Sequence, residues 1–227
     1  SITKVYINNG DTTDGMVRFV ADPAWNATLN SNVVTYGTCV WGDLNNDGHL
    51  DAVISGERGP TPTTLVFINT DGGFNAYALP DALESGSIAL ADFDGDGDLD
   101  IVLTGEQSNN ARKGNLWYFK NNYSLQTKPK SFSGFTFVGN CFYDSPTGTT
   151  AATGVYAGKI IAGDFNKDGI PDLLVSGLTD TIVGEEGGFT FYESVLKLYK
   201  GVRKPDGSFE FRLYQKQIGG ASCRERV

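Results

Sequence analysis

The sequence predicts an all-β chain: a β-propeller of four-stranded blades, present as an incomplete arc of about three to four blades. Three observations predict it. A strand–loop–strand unit recurs over Gly37–Gly56, Gly86–Gly105 and Gly158–Gly177, with Gly six residues before the first loop Asp each time. A second pair of apolar runs follows each unit, completing four strands per repeat. The 227 residues include 29 Gly and 12% aromatics, and no long stretch has helical periodicity. That composition suits short strands and tight turns.

Taken in order, Val5-Tyr6-Ile7-Asn8-Asn9-Gly10 reads as the outer pair of an earlier unit, so residues 1–36 are the outer part of a preceding blade. Residues 37–85 form a blade with the first loop. Its inner strands are Thr38–Trp41 and Ala52–Ser55, and its outer pair is Leu65–Asn69 and the segment entered at Phe74. Residues 86–157 form a blade with the second loop and an insertion. Here the inner strands are Ser87–Leu90 and Ile101–Thr104, and Leu116–Lys120 leads towards Phe132 and Phe135. The first loop Asp moves from 43 to 92, one blade's length, and then to 164. The longer step places an insertion within Gln107–Tyr156, rich in Asn, Ser, Thr and Gly. Residues 158–214 form the third blade, with Lys159–Ala162, Leu173–Ser176, Leu196–Lys200 and Phe209–Phe211 as strands. Leu178–Glu193 reads as a second long loop. Ile218–Val227 lacks the pattern and resembles the translation of a sequencing adaptor, so residues 215–227 are read as a non-native or truncated tail. Propellers close with about four to eight blades, so the expectation is a piece of a longer multi-blade chain, or an open arc with exposed edges.

The loops carry the chemistry. They are Asp43-Leu-Asn-Asn-Asp-Gly-His-Leu-Asp51, Asp92-Phe-Asp-Gly-Asp-Gly-Asp-Leu-Asp100 and Asp164-Phe-Asn-Lys-Asp-Gly-Ile-Pro-Asp172. Side-chain oxygens fall at positions 1, 3, 5 and 9, and Gly at position 6. Calcium asks for about six to eight oxygens at about 2.3–2.6 Å, and such a loop can supply most of them. The candidate ligands are Asp43, Asn45, Asp47, the His49 carbonyl and Asp51; Asp92, Asp94, Asp96, the Asp98 carbonyl and Asp100; and Asp164, Asn166, Asp168, the Ile170 carbonyl and Asp172. About three Ca2+ ions are expected. An EF-hand is excluded: it needs Glu at position 12 and flanking helices, whereas position 12 is Ile54, Leu103 or Val175 inside short β-branched runs. Three polar hairpin turns would explain Asp, Asn and Gly, but turns do not require four oxygens in fixed alternation.

The net charge is −9, and 11 of the 27 acids lie in the loops. Three calcium ions would leave about −3, so metal sites account for most of the acidity. No basic patch exists to neutralise phosphates, which excludes a nucleic-acid partner. No apolar run is long enough to span a bilayer, and no signal peptide is visible. Cys39, Cys141 and Cys223 have no zinc-site spacing. Cys39 reads as a small buried hydrophobe, and its pairing with Cys141 is open. Trp41 reads as core, with Trp25 and Trp117 available for stacking. Asn26-Ala-Thr and Asn122-Tyr-Ser match a glycosylation pattern that arises readily by chance.

The run from Gly163, Gly-Asp-Phe-Asn-Lys-Asp-Gly-Ile-Pro-Asp-Leu-Leu-Val-Ser-Gly, resembles the FG-GAP/VCBS repeats of integrin α subunits and many bacterial surface proteins. Gly42–Gly56 and Ala91–Gly105 match the same pattern, and Asn8–Gly10 is similar to the family's outer hairpin. The resemblance covers most of residues 1–214 and implies a calcium-binding propeller whose metal rigidifies the hairpin joining the first two strands of a blade. It implies an extracellular or cell-surface binding or adhesion module whose protein or glycan ligand meets loops on one face. The alternative is a carbohydrate-active propeller, a polysaccharide lyase or a lectin. Against an enzyme, the only histidine is His49, inside a loop, which leaves none for a Ser-His or Cys-His pair.

Overall fold

Each loop motif sits between two strands whose apolar residues alternate towards the faces of a sheet, and neighbouring sheets bury those faces against one another. The computed structural model describes residues 4–8, 10, 18–71, 73–107, 113–123, 134–139, 141–186, 189–218 and 224–226. The chain begins with β1 (Tyr6–Asn8) paired antiparallel to β2 (Phe19–Ala21), then α1 (Pro23–Asn30). Asn9, in the expected outer hairpin, lies outside the described residues.

Three antiparallel sheets follow. The first has the order β3 (Thr35–Gly42), β4 (Asp51–Arg58), β5 (Thr61–Thr70), β6 (Gly73–Ala78). In the second, β7 (Glu84–Ala91), β8 (Asp100–Glu106), β9 (Gly114–Asn121) and β10 (Phe135–Gly139) repeat that meander. The third has β12 (Tyr156–Gly163), β13 (Asp172–Glu186), β14 (Phe189–Arg203) and β15 (Phe209–Ile218). Its outer edge gains β11 (Phe142–Tyr143), parallel to β15, and β16 (Arg224–Arg226) pairs with β14 at Phe189–Phe191. The innermost strand β7 lies between β3 and β12, so the sheets form an incomplete propeller-like arc.

The alternation of each strand sorts its residues onto two faces. Leu44, Val53 and Val66 leave the first sheet towards Ile88, Leu90, Leu99 and Ile101 of the second. Ala89, Phe93, Val102 and Tyr118, on the opposite face of the second sheet, meet Ile160, Ala162, Leu173 and Tyr199 of the third. Each fully buried large apolar side chain contributes about 1.5–3 kcal/mol, so these two seams hold the arc together. A smaller cluster packs Ala52, Ile54, Leu65 and Phe67, on the outward face of the first sheet, beneath Leu29 and Trp25 of α1.

The glycine that precedes each loop by six residues has a steric cause. A Cβ on Gly86 would lie 1.6 Å from Thr104 O, and on Gly158 1.8 Å from Ser176 O. Tyr36, Ser85 and Ala157, each just before that glycine, have φ of 48–53°. Together they make a bulge that brings the two inner strands into close approach.

Several expectations need correction. Leu178–Glu193 is not a loop: β13 and β14 continue through it as a hairpin, with register shifts between Leu178, Ile182 and Gly184. Thr179-Asp-Thr-Ile-Val facing Phe189-Thr-Phe-Tyr supplies the β-branched and aromatic residues that favour pairing. Trp41 is 50% exposed and Cys39 is exposed, because among the described residues no further sheet covers the inner strand of the first one. Cys39 and the buried Cys141 are both free. Helix α1 breaks the all-strand expectation: Asp22 accepts Ala24 N–H at 2.8 Å and Trp25 N–H at 3.2 Å, and Pro23 opens the first turn. Asn26 is buried, accepting Val5 N–H and donating to Val5 O, so its amide is closed to glycosylation in the fold. Phe132 and Cys223 lie outside the described residues.

The insertion is tied down by one buried ion pair. Lys197, 1% exposed, donates to Asp144 Oδ2 at 2.7 Å and to Thr153 O at 2.8 Å. Tyr199 OH donates to Asp144 Oδ1 at 2.6 Å, and Thr153 N–H to Oδ2 at 3.0 Å. Burial lowers the Lys197 pKa despite the facing carboxylate, and raises that of Tyr199.

Candidate metal centres

The three loops join β3 to β4, β7 to β8 and β12 to β13, at one end of the inner strands. Positions 4 and 6 turn left-handed in all three: Asn46, Gly95 and Lys167 have φ of 52°, 86° and 61°, and Gly48, Gly97 and Gly169 have φ of 89°, 94° and 82°. The expected glycine at position 6 is therefore a backbone requirement.

This path aims backbone N–H groups at the side-chain oxygens. The position 1 carboxylate takes two. Gly48, Gly97 and Gly169 donate to Oδ2 of Asp43, Asp92 and Asp164 at 2.9, 3.1 and 2.9 Å. Oδ1 accepts from Asp47, Gly95 and Asp168 N–H at 3.1, 2.7 and 3.1 Å. Position 3 uses one oxygen: Asn45, Asp94 and Asn166 Oδ1 accept from position 5 at 3.2, 3.3 and 2.9 Å. Position 5 does likewise: Asp47, Asp96 and Asp168 Oδ1 accept from His49, Asp98 and Ile170 N–H at 2.8, 3.2 and 3.0 Å.

The closing aspartate is a double stitch. Asp51, Asp100 and Asp172 are almost fully buried. Oδ2 accepts the position 2 N–H, from Leu44, Phe93 and Phe165, at 2.8, 3.2 and 3.1 Å. Oδ1 accepts from the third strand, from Asn69, Asn121 and Gly201, at 2.8, 2.8 and 2.9 Å. Burial pushes Asp51 up to about 6 and Asp100 up to about 7, and raises Asp172, against the lowering effect of these bonds. Asp100 also accepts Tyr118 OH at 3.0 Å.

In the second loop, one oxygen each of Asp92, Asp94 and Asp100 lies within 4.8 Å of the others. Three convergent hard oxygens are the donor set a calcium ion takes. Loops 1 and 3 carry Asn at position 3, so positions 1, 3 and 9 there offer two carboxylates and an amide oxygen. At position 7, the His49 side chain is exposed and Ile170 packs at the edge of the second seam. Asp98 is buried and accepts Asn46 Nδ2 at 2.7 Å, a tie between loops 1 and 2; burial and the neighbouring loop carboxylates push it up to about 6.

Sequence reasoning missed two cations. Lys120 Nζ contacts Asp94 Oδ2 and lies 2.9 Å from Asp96 Oδ2. Burial would lower its pKa, but the two carboxylates outweigh burial and raise it. Lys200 Nζ lies 2.8 Å from Asp168 Oδ2 and holds that carboxyl below the usual range. Both lysines come one residue before the third-strand N–H that reaches the closing aspartate. The same position in the first sheet is Ile68, since Asn69 makes that bond there. The signal was a lysine ending each outer apolar run, Leu116–Lys120 and Leu196–Lys200.

Repeated sheets in an arc, each with an acidic loop joining its two inner strands, define a β-propeller-like repeat protein. Residues 43–103, from the first loop through β8, match the family model described as FG-GAP-like repeat. This stretch is similar to an FG-GAP-like repeat. No curated protein matches it at a significant level. No helix among the described residues is long and apolar enough to cross a membrane.

Proposed function

We propose that the chain is an extracellular, calcium-stabilised binding or adhesion module with no catalytic activity of its own. The observation that carries this reading is the convergence of Asp92, Asp94 and Asp100 within a loop whose pattern recurs twice more. Bound calcium would supply the positive charge that offsets these acids. Positions 1, 3, 5 and 9 of each loop, with the position 7 carbonyl, would hold about three ions. Loops carrying an amide at position 3 suit the extracellular setting, where weak sites fill because calcium is abundant. A protein or glycan ligand would meet the parts that exceed the repeat, namely the insertion and the β13–β14 hairpin, since function concentrates on excursions from a rigid scaffold.

Titration calorimetry with calcium tests this reading. The expected result is heat of binding for up to about three ions, lost for the second loop in Asp92→Ala, together with a higher melting temperature in calcium than in chelator. Absence of binding heat in the unsubstituted chain would sink the metal assignment.

A further inference from the structure

We infer that the three metal loops load as one cooperative unit, coupled by third-strand side chains that cross the seams between sheets. This rests on the calcium reading above and adds to it a coupling between the sites. The observation that carries it is a continuous run of hydrogen bonds joining the three closing aspartates.

The run begins at Asp51, whose Oδ2 accepts Leu44 N–H at 2.8 Å. Leu44 O accepts Asn121 Nδ2, from the second sheet, at 2.8 Å. Asn121 N–H donates at 2.8 Å to Oδ1 of Asp100, the closing aspartate of the second loop. Asp100 Oδ2 accepts Phe93 N–H at 3.2 Å, and Phe93 O accepts Arg203 Nε, from the third sheet, at 3.1 Å. Two residues before Arg203 on β14, Gly201 N–H donates at 2.9 Å to Oδ1 of Asp172, which closes the third loop. At both seams, then, the position 2 carbonyl of one loop is gripped by the strand that stitches the next closing aspartate.

Further ties run alongside. Asn46 Nδ2, at position 4 of the first loop, donates to Asp98 Oδ1 at 2.7 Å and to Gly97 O at 3.2 Å in the second. Asp98 is the residue whose carbonyl is the expected position 7 ligand. Arg203 also reaches Asp92 O at 3.3 Å, and Gly169 O of the third loop at 3.5 Å. The second loop makes room for it: position 4 is Asn46 or Lys167 in the other loops but Gly95 here, where a Cβ would lie 2.6 Å from Arg203 Cζ. The hydrogen bonds of Arg203 go to carbonyl oxygens, whereas Lys120 and Lys200 sit on ligand carboxylates. Arg203 therefore ties two loops together without occupying the oxygens that an ion would take.

A loop ordered around its ion holds the carbonyl and the closing aspartate that its neighbour depends on. The neighbour then has less entropy to lose on binding, which gives positive cooperativity without a change of fold. The coupling is reciprocal, so emptying either loop weakens the other by the same factor.

Calorimetric calcium titration of the full chain carrying loop lesions tests this. The second-loop step is the one that Asp92→Ala removes. Asp43→Ala or Asp164→Ala, each emptying a neighbour, is expected to weaken that step about fivefold or more. Arg203 is exposed, so Arg203→Met leaves the core intact. In that background Asp164→Ala should no longer change the second-loop step, while Asp43→Ala still weakens it. Amide hydrogen exchange gives a second readout. In Asp164→Ala, calcium in the remaining loops should slow exchange at Phe165 and Gly201, and Arg203→Met should abolish that slowing. A second-loop affinity that neither lesion changes overturns the coupling and leaves the metal reading standing. Equal weakening by Asp164→Ala with and without Arg203 likewise overturns it. Absence of binding heat in the unsubstituted chain overturns both.

Discussion

At the scale of single residues, two of the three loops have a cation built in beside their acids. Lys120 already faces Asp94 and Asp96 from the third strand, and Lys200 faces Asp168, whereas the first loop has Ile68 at that place. A calcium ion in the second loop, as proposed, would compete with this ammonium for the same oxygens. Lys120→Met is therefore expected to tighten calcium binding at that loop and to lower the melting temperature in chelator more than in calcium. Lys120 is partly exposed, so the pair is worth about 0.5–1 kcal/mol, which corresponds to about two- to fivefold in affinity. Calorimetry on the variant checks this; weaker binding would mean that Lys120 supports the occupied loop.

At the scale of elements, strand identity was legible because periodicity and β-branched content agree with the final pairing at every inner strand. The shape of the loops was legible for a related reason: alternate side-chain oxygens and a position 6 glycine are local requirements of the loop backbone. What could not be read is what depends on distant partners. Lys120 and Lys200 end outer strands in the sequence, and only the sheet brings them over the loops. Trp41 looked like core because its strand is apolar, yet burial needs a neighbouring sheet. Helix α1 did carry a local signal, Asp22 followed by Pro23, the cap and first-turn pair, but eight residues are too short to show periodicity. The anchoring of the insertion was also invisible, since Asp144 and Lys197 are 53 residues apart. Asp144→Ala would leave the Lys197 ammonium buried without its carboxylate. The expected cost is about 3–5 kcal/mol, read as the loss of stability in urea unfolding. An unchanged midpoint would mean that water reaches Lys197.

At the scale of the whole molecule, the buried acids link stability to proton concentration. Burial, first among the causes, pushes Asp51 and Asp98 up to about 6 and Asp100 up to about 7, from 3.8 as the ordinary value. The folded chain thus holds protons more tightly than the unfolded one. Their contribution is fully present below the unfolded value and is lost as pH rises through about 6–7. With calcium chelated, the melting temperature should therefore be higher at about pH 5 than at about pH 8. Calcium should flatten the dependence, because it stabilises the ionised carboxylates. A chelated protein that melts higher at the alkaline end would show that other groups set the balance.

The wiring of the loops also sets a substitution grammar. Positions 1 and 9 occupy both carboxylate oxygens with N–H donors, and all three loops spell them Asp. Position 3 spends a single oxygen on the backbone, and two of the three loops spell it Asn. Asparagine at position 9 would turn an NH2 group towards a backbone N–H, donor against donor, in a dry place. An Asp there is consequently retained for the sake of the chain's own amides, and a loop that had lost every trace of ion affinity would still keep it.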